Sequence, residues 1–382
     1  MKQKYSRPLV FIVAIAVFSF TAVKSQIDDE QTQPPVKSLV DVNEVAEMND
    51  ILGDDQKTRL EAARRLVERV GVGDALEILE KSSLPHTGEG HLVVHQIGFY
   101  AYKKYGLDSI LHCKDYFLYA CYHGAIIEAA SNQGFNAITQ MTDKCRASAS
   151  RYFQCVHAAG HTIMAMWDYD LPEALKTCDD LYEGDSQSSD VRSSCHNGAF
   201  MENLFGVHDW GTDQTPKRDW LSDDLFFPCN AFPEKYQKGC WLNQAARIYQ
   251  VYGGDIEKTA DTCQRIGNSQ YTAWCMDNLA RQIHPLTTGD ISKVFSMCKL
   301  VGSYWQEGCI VINAGSYYSV GGRKEAIDIC KQVIAGTKDP CYRTVISQIA
   351  GDSIDFEQKK GLCESLESPF NAECLRQIGF AS

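Results

Sequence analysis

After residue 23 the sequence has no apolar run long enough to cross a bilayer, which takes about 20 residues. It also lacks any long alternation of apolar and polar residues, so a sheet-based fold is not expected. Positive charge is scarce: 37 Lys and Arg stand against 49 Asp and Glu, a formal net charge of −12. A surface that acidic repels phosphate backbones and argues against nucleic acid as a partner. Common catalytic signatures are missing too. Ala158 follows His157 and Leu92 follows His91, so the His-Glu-x-x-His order of zinc peptidases is absent. There is no Gly-x-Ser-x-Gly elbow, phosphate loop or dinucleotide fingerprint. The lack of Cys-x-x-Cys-His argues against covalent c-type haem.

What is present begins with Lys2, Lys4 and Arg7, then an apolar run from Leu9 to Val23 and small residues around Ser25. That order is a secretory signal, expected over residues 1–25, with an uncleaved signal anchor as the alternative. Removing its four basic residues takes the charge to −16. Residues 26–53 are polar and acidic with Pro34-Pro35, and read as a flexible linker. A signal followed by 16 cysteines implies an oxidising compartment: secreted, periplasmic or on an extracellular face.

The cysteines fall into eight short-range pairs: Cys113–Cys121, Cys145–Cys155, Cys178–Cys195, Cys229–Cys240, Cys263–Cys275, Cys298–Cys309, Cys330–Cys341 and Cys363–Cys374. Successive first members stand 32, 33, 51, 34, 35, 32 and 33 residues apart, and one insertion, roughly 208–224, accounts for the long step. A period near 33 marks a repeat architecture. Before each first cysteine lies a short helical pattern, as in Leu171–Cys178. After each second cysteine a longer amphipathic run begins and usually stops at glycine, as at Gly134 and Gly253-Gly254. Between them lies a polar turn, such as Gly336–Pro340. Each unit is therefore a helix–turn–helix hairpin with a disulfide joining the end of helix A to the start of helix B. Closing so short a loop is worth about 3 kcal/mol in the chain-entropy model. Zinc ligation by these cysteines is disfavoured by their wide spacing, although spacing alone does not fix which cysteines pair.

The expected fold is all-α: an α-solenoid of about eight stapled hairpins. Residues 54–106 form an N-terminal helical cap, 107–207 the histidine-rich repeats and 225–382 the aromatic-rich repeats. Over roughly residues 107–380 the length and layout resemble the tetratricopeptide and Sel1-like helical repeats, in architecture though not in the Trp/Leu-Gly/Tyr signature. Helical solenoids commonly carry a protein or peptide partner on their surface.

Nine of the ten histidines lie between His86 and His208. Aligned on the second cysteine of each repeat, His123 and His157 sit two positions after it and His161 six, while Gly90-His91 matches Gly160-His161 and His95 follows four later. Offsets of 2, 6 and 10 share one helical face. His91, His95, His123, His157 and His161 are thus expected to converge from three consecutive B helices. Imidazole suits zinc, copper and iron, so the leading reading is a transition-metal site, with or without enzymatic turnover. His196, about 100° off that face, is a weaker ligand candidate. Glu128 and Glu202, each seven positions after a second cysteine, are candidates for ligand, supporting partner or general base. Non-covalent haem between two histidines is an alternative. So is a non-catalytic interaction scaffold with structural histidines. His112, His208 and His284 read as structural or surface residues, and His86 lies in a turn. Gly124, Gly160 and Gly198 sit among the histidines, either for close helix approach or for room around a ligand. The aromatics after Cys229 are expected to be mostly core.

All 16 cysteines should resist alkylation in unreduced protein, and peptide mapping should return the eight pairs above. Bridges between distant repeats would overturn the hairpin reading.

Overall fold

All eight disulfides join the cysteines within a hairpin, at sequence separations of 8 to 17. In the computed structural model the described residues are 45–86, 88–147, 149–185, 188–206, 219–352 and 354–380. The expected signal, the expected linker as far as residue 44, and most of the expected insertion with His208 lie outside them. Among the described residues there is no strand, and no helix is long and apolar enough to cross a membrane.

Helices α1 (Met48–Ile51), α2 (Gln56–Val70) and α3 (Val72–Glu80) lead to α4 (Glu89–Tyr105), which has no staple. The first stapled unit has α5 (Ala120–Gln133) as its B helix. Then come α6 (Phe135–Lys144) with α7 (Ala149–Met166), and α8 (Leu171–Leu181) with α9 (Ser188–Phe205). Past the insertion, α10 (Glu234–Val251) is followed by α11 (Ile256–Gln264) with α12 (Ser269–Ile283), and α13 (Ser292–Cys298) with α14 (Gln306–Ser319). The chain closes with α15 (Arg323–Gln332) and α16 (Ala335–Gly351), then α17 (Phe356–Glu364) and α18 (Phe370–Gln377).

The local reasons are visible in the sequence. Helix α8 buries Leu171, Ala174, Leu175 and Cys178, the spacing of one helical stripe, and Asp170 caps it by accepting from the Glu173 amide. Asp255, Asn268 and Asp355 cap α11, α12 and α17 in the same way. The A helices are short because each contributes only that stripe. The B helices, apart from the final α18, are longer and more fully enclosed: in α5 every residue from Ala120 to Ile127 is buried. The reason is position. Each B helix packs against the next, in the order α4, α5, α7, α9, α10, α12, α14, α16, α18.

Three expectations change. The first and fourth stapled units have a 3-10 turn, Gly106–Leu111 and Cys229–Ala231, where an A helix was expected. The segment Gly336–Pro340, read as a turn, belongs to α16 with Pro340 inside the helix. Pro340 is the sixth residue of α16, just past the first turn, so the helix forgoes the bond that an amide there would make to the Gly336 carbonyl. Finally, the end of the expected linker is packed: Met48 and Ile51 of α1 are buried. In the aromatic-rich half Trp241, Tyr271 and Trp274 form a stack and Tyr317 and Tyr318 are buried, whereas Tyr304 is 85% exposed.

The glycines near the histidines serve close helix approach. A Cβ on Gly98 would lie 2.2 Å from the Cys121 carbonyl oxygen, and one on Gly124 would lie 2.1 Å from that of His95. The pattern repeats one unit on: Gly160 faces the Cys195 carbonyl at 2.1 Å and Gly198 that of His157 at 2.0 Å. Two pairs of B helices, α4 with α5 and α7 with α9, are thus in backbone contact. Gly124→Ala should destabilise the protein by about 1–3 kcal/mol through overpacking. Gly308→Ala, in α14 with nothing within 4 Å of its Cβ position, should stabilise by up to about 1 kcal/mol. Urea unfolding midpoints of the two oxidised variants check the contrast.

Candidate metal centre

The tight pair α4 and α5 brings His91, His95 and His123 together. One ring nitrogen from each lies within 4.8 Å of the others, so the three could hold a metal ion. His91 Nε2 and His123 Nδ1 are 3.1 Å apart. Two ligands on one ion, with bonds of about 2.0–2.1 Å and angles between square and tetrahedral, stand about 2.9–3.4 Å apart. His95 and His123 are buried and His91 half-buried. Burial first, and then the neighbouring His91, His95, His161 and His157, push the His123 pKa well below its ordinary value. A neutral imidazole is the ligating form.

The second tight pair carries the rest. His157 Nε2 and His161 Nε2 are 3.1 Å apart, and the other nitrogen of His161, Nδ1, lies 2.9 Å from Glu202 Oε2 of α9. His123 joins the halves: its ring centroid lies 4.9 and 5.6 Å from those of His91 and His95, and 5.9 and 5.6 Å from those of His157 and His161. All five histidines expected on one face therefore form one contiguous cluster.

Each half has an orienting partner tied to left-handed backbone. His91 Nδ1 lies 2.7 Å from the Phe117 carbonyl oxygen. A carbonyl only accepts, so Nδ1 carries the proton and Nε2 of the neutral ring offers its lone pair toward His123. Phe117, Leu118 and Tyr119 all have left-handed backbone, at φ 50°, 53° and 64°. On the other side the Tyr169 hydroxyl donates to Glu202 Oε1 at 2.6 Å, and Asp168 and Tyr169 are left-handed at φ 49° and 64°. These are the five non-glycine residues with positive φ among the described residues. Such conformations cost on the order of 1–3 kcal/mol each and cluster at functional sites.

The remaining described histidines and Glu128 have other partners, although His284 lines the same cavity as the cluster. Glu128 does not reach the cluster; its carboxylate is 3.9 Å from Lys103 Nζ. Glu202 occupies the equivalent offset in α9 but is fully buried. His196 turns Nε2 to Asp179 at 3.0 Å and packs edge-on against Tyr236. His112 stacks on Tyr105, and His284 is buried against Tyr317. Sequence reasoning missed the Phe117 carbonyl and Tyr169, because turn residues of these types carry no signal for left-handed backbone.

The cluster opens on a cavity of about 890 Å³, within the usual range for small-molecule sites. His91, His123, His157 and His161 form one wall; residues of α14 and α16, with Arg323, form the facing wall. Late repeats thus meet the first hairpin across it. At the join His86 stacks on Phe117, and a Cβ on Gly321 would lie 3.3 Å from His86 Cε1. Glu80 is also there, 3.6 Å from His86 Nε2, with its Oε2 buried and without a hydrogen-bond partner. Burial raises the Glu80 pKa from 4.5 to about 7 against the pull of Arg323 and lowers that of His86, so burial pushes each toward its uncharged form.

No protein-family model and no curated protein matches the chain. Among solved structures, a match is found with the crystal structure of Ton1535 from Thermococcus onnurineus NA1, at 10% identity over 87% of this chain and 94% of that one. Its TM-score is 0.20, too low to carry an argument.

Ionising the buried Glu80 penalises the folded state, so its contribution to stability falls as pH rises from about 4.5 through about 7. Glu80→Gln should accordingly equal the parent protein in stability near pH 4.5 and exceed it at pH 8. Melting temperatures at the two pH values check this; a constant difference between the proteins would refute it.

Proposed function

We propose that this is a transition-metal-binding helical-repeat protein of an oxidising compartment, exported by its N-terminal signal. The observation that carries the reading is the His91, His95 and His123 triad, with three imidazole nitrogens within 4.8 Å and one edge already at ligand spacing. The eight disulfides support the compartment, since such bonds are rare where thiols are kept reduced. The likeness in layout to tetratricopeptide and Sel1-like repeats is the architectural side of the same proposal.

An all-imidazole donor set fits zinc, copper or iron better than magnesium or calcium, which prefer oxygen. Haem between paired histidines is not favoured: ring nitrogens 3.1 Å apart leave no space for a macrocycle between them. A bound ion would supply Lewis acidity or a more acidic bound water, facing the cavity. The protein's own contribution is to keep His123 neutral, hold His91 through the Phe117 carbonyl, and enclose the site between helices in backbone contact.

Tag-free protein should contain at least one equivalent of transition metal per chain by elemental analysis. His123→Ala should abolish the triad's ion, with the cysteines still resistant to alkylation, whereas His112→Ala should leave it in place. Chelation should lower the melting temperature, because an ion bound only to the folded state stabilises it by mass action. Metal-free protein that takes up none of zinc, copper or iron would end this reading in favour of a scaffold with structural histidines.

A further inference from the structure

The five-histidine cluster is built as two halves, each with the same parts. Helices α4 and α5 meet at Gly98 and Gly124; helices α7 and α9 meet at Gly160 and Gly198. One half presents His91 Nε2 and His123 Nδ1 at 3.1 Å, the other His157 Nε2 and His161 Nε2 at 3.1 Å. One is oriented by a carbonyl from the left-handed segment 117–119. The other is oriented by Glu202, held in turn by Tyr169 of the left-handed segment 168–169. We infer that His157 and His161 hold a second metal ion beside the first, making a two-metal centre that faces the cavity. This rests on the reading of His91, His95 and His123 as the first site.

The second half has the features of a ligand set. In the neutral ring the Glu202 carboxylate holds the His161 proton on Nδ1, leaving the Nε2 lone pair directed at His157. A carboxylate with no solvent exposure and two left-handed residues are a large structural outlay for one histidine–histidine hydrogen bond, which a surface pair could form without either. The same outlay is explained if it fixes a ligand: partners that orient metal-bound histidines are what a carboxylate–histidine pair supplies. Both ligand nitrogens belong to residues lining the cavity, so the remaining positions on this ion would be open to water or a small molecule. The two sites stand close enough to act on one such molecule, because His123 has ring neighbours in both halves, with centroids 4.9 to 5.9 Å away.

The test uses full-length, tag-free, oxidised protein freed of metal by chelation and reloaded with cobalt(II), whose visible spectrum reports nitrogen ligation. Two equivalents of cobalt should bind per chain. His157→Ala combined with His161→Ala should bind one, and His123→Ala should lose the triad's ion. Glu202→Gln should weaken one of the two binding steps by about 10–100-fold and leave the other unchanged. This conservative change decides the matter if the double variant fails to fold. One equivalent in the parent protein, lost with His123 but insensitive to His157, His161 and Glu202, would leave the first site standing and overturn the second. Two equivalents in the double variant would place the second ion elsewhere and equally overturn the inference. No cobalt at all would remove both readings.

Discussion

The constraint on which the site depends is backbone contact between neighbouring B helices. With glycine at Gly98, Gly124, Gly160 and Gly198, helices approach until a Cβ would fall about 2 Å from a facing carbonyl oxygen. Side chains as short as histidine can then meet across the gap. The staples supply the complementary restraint. Each disulfide ties the B helix of its unit to the segment before it, which restrains the register of α5 and α7 and so the heights of His123, His157 and His161; α4, with His91 and His95, has no staple. Glycine contact brings α4 to α5, and so His91 and His95 to His123, and brings α7 to α9, and so His161 to Glu202; the two pairs then meet where α5 packs on α7.

Much of this was legible in the chain. The 33-residue period gave the hairpins and the pairing, because a disulfide within a hairpin needs only local geometry. Offsets of 2, 6 and 10 from the second cysteine picked out the five clustered histidines, because helical phase survives whatever the helices pack against. What phase could not separate was Glu128 from Glu202. Both stand at offset 7, and their fates depend on neighbours: one reaches Lys103 on the cap helix, the other is covered by Tyr169. Nor could phase reveal the Phe117 carbonyl, since a left-handed run of Phe, Leu and Tyr contradicts local preference and is imposed by the tertiary structure. The glycines were visible but ambiguous, and only the facing carbonyls resolved them.

The meeting of the first hairpin with late repeats was also invisible to local reading. A period predicts contacts between adjacent units; it does not predict that residues near Glu80 and His86 face Gly321, Arg323 and Asp352. The charges at that join are mixed in kind. Arg323 donates to Asp352 at 2.9 Å, while Glu80 and His86 are driven toward neutrality by burial. A compensated ion pair tolerates enclosure, whereas an isolated carboxylate sheds its charge instead.

The histidine cluster and the join share one segment, residues 117–119. Phe117 lends its carbonyl to His91 and its ring to His86. The left-handed backbone of residues 117–119 is what allows one residue to do both, directing the carbonyl toward α4 while the ring lies under the turn that meets Gly321. Loss of either contact would free the segment to return to a less costly conformation. The orientation of His91 and the packing of His86 at the cavity's edge therefore rest on the same left-handed segment.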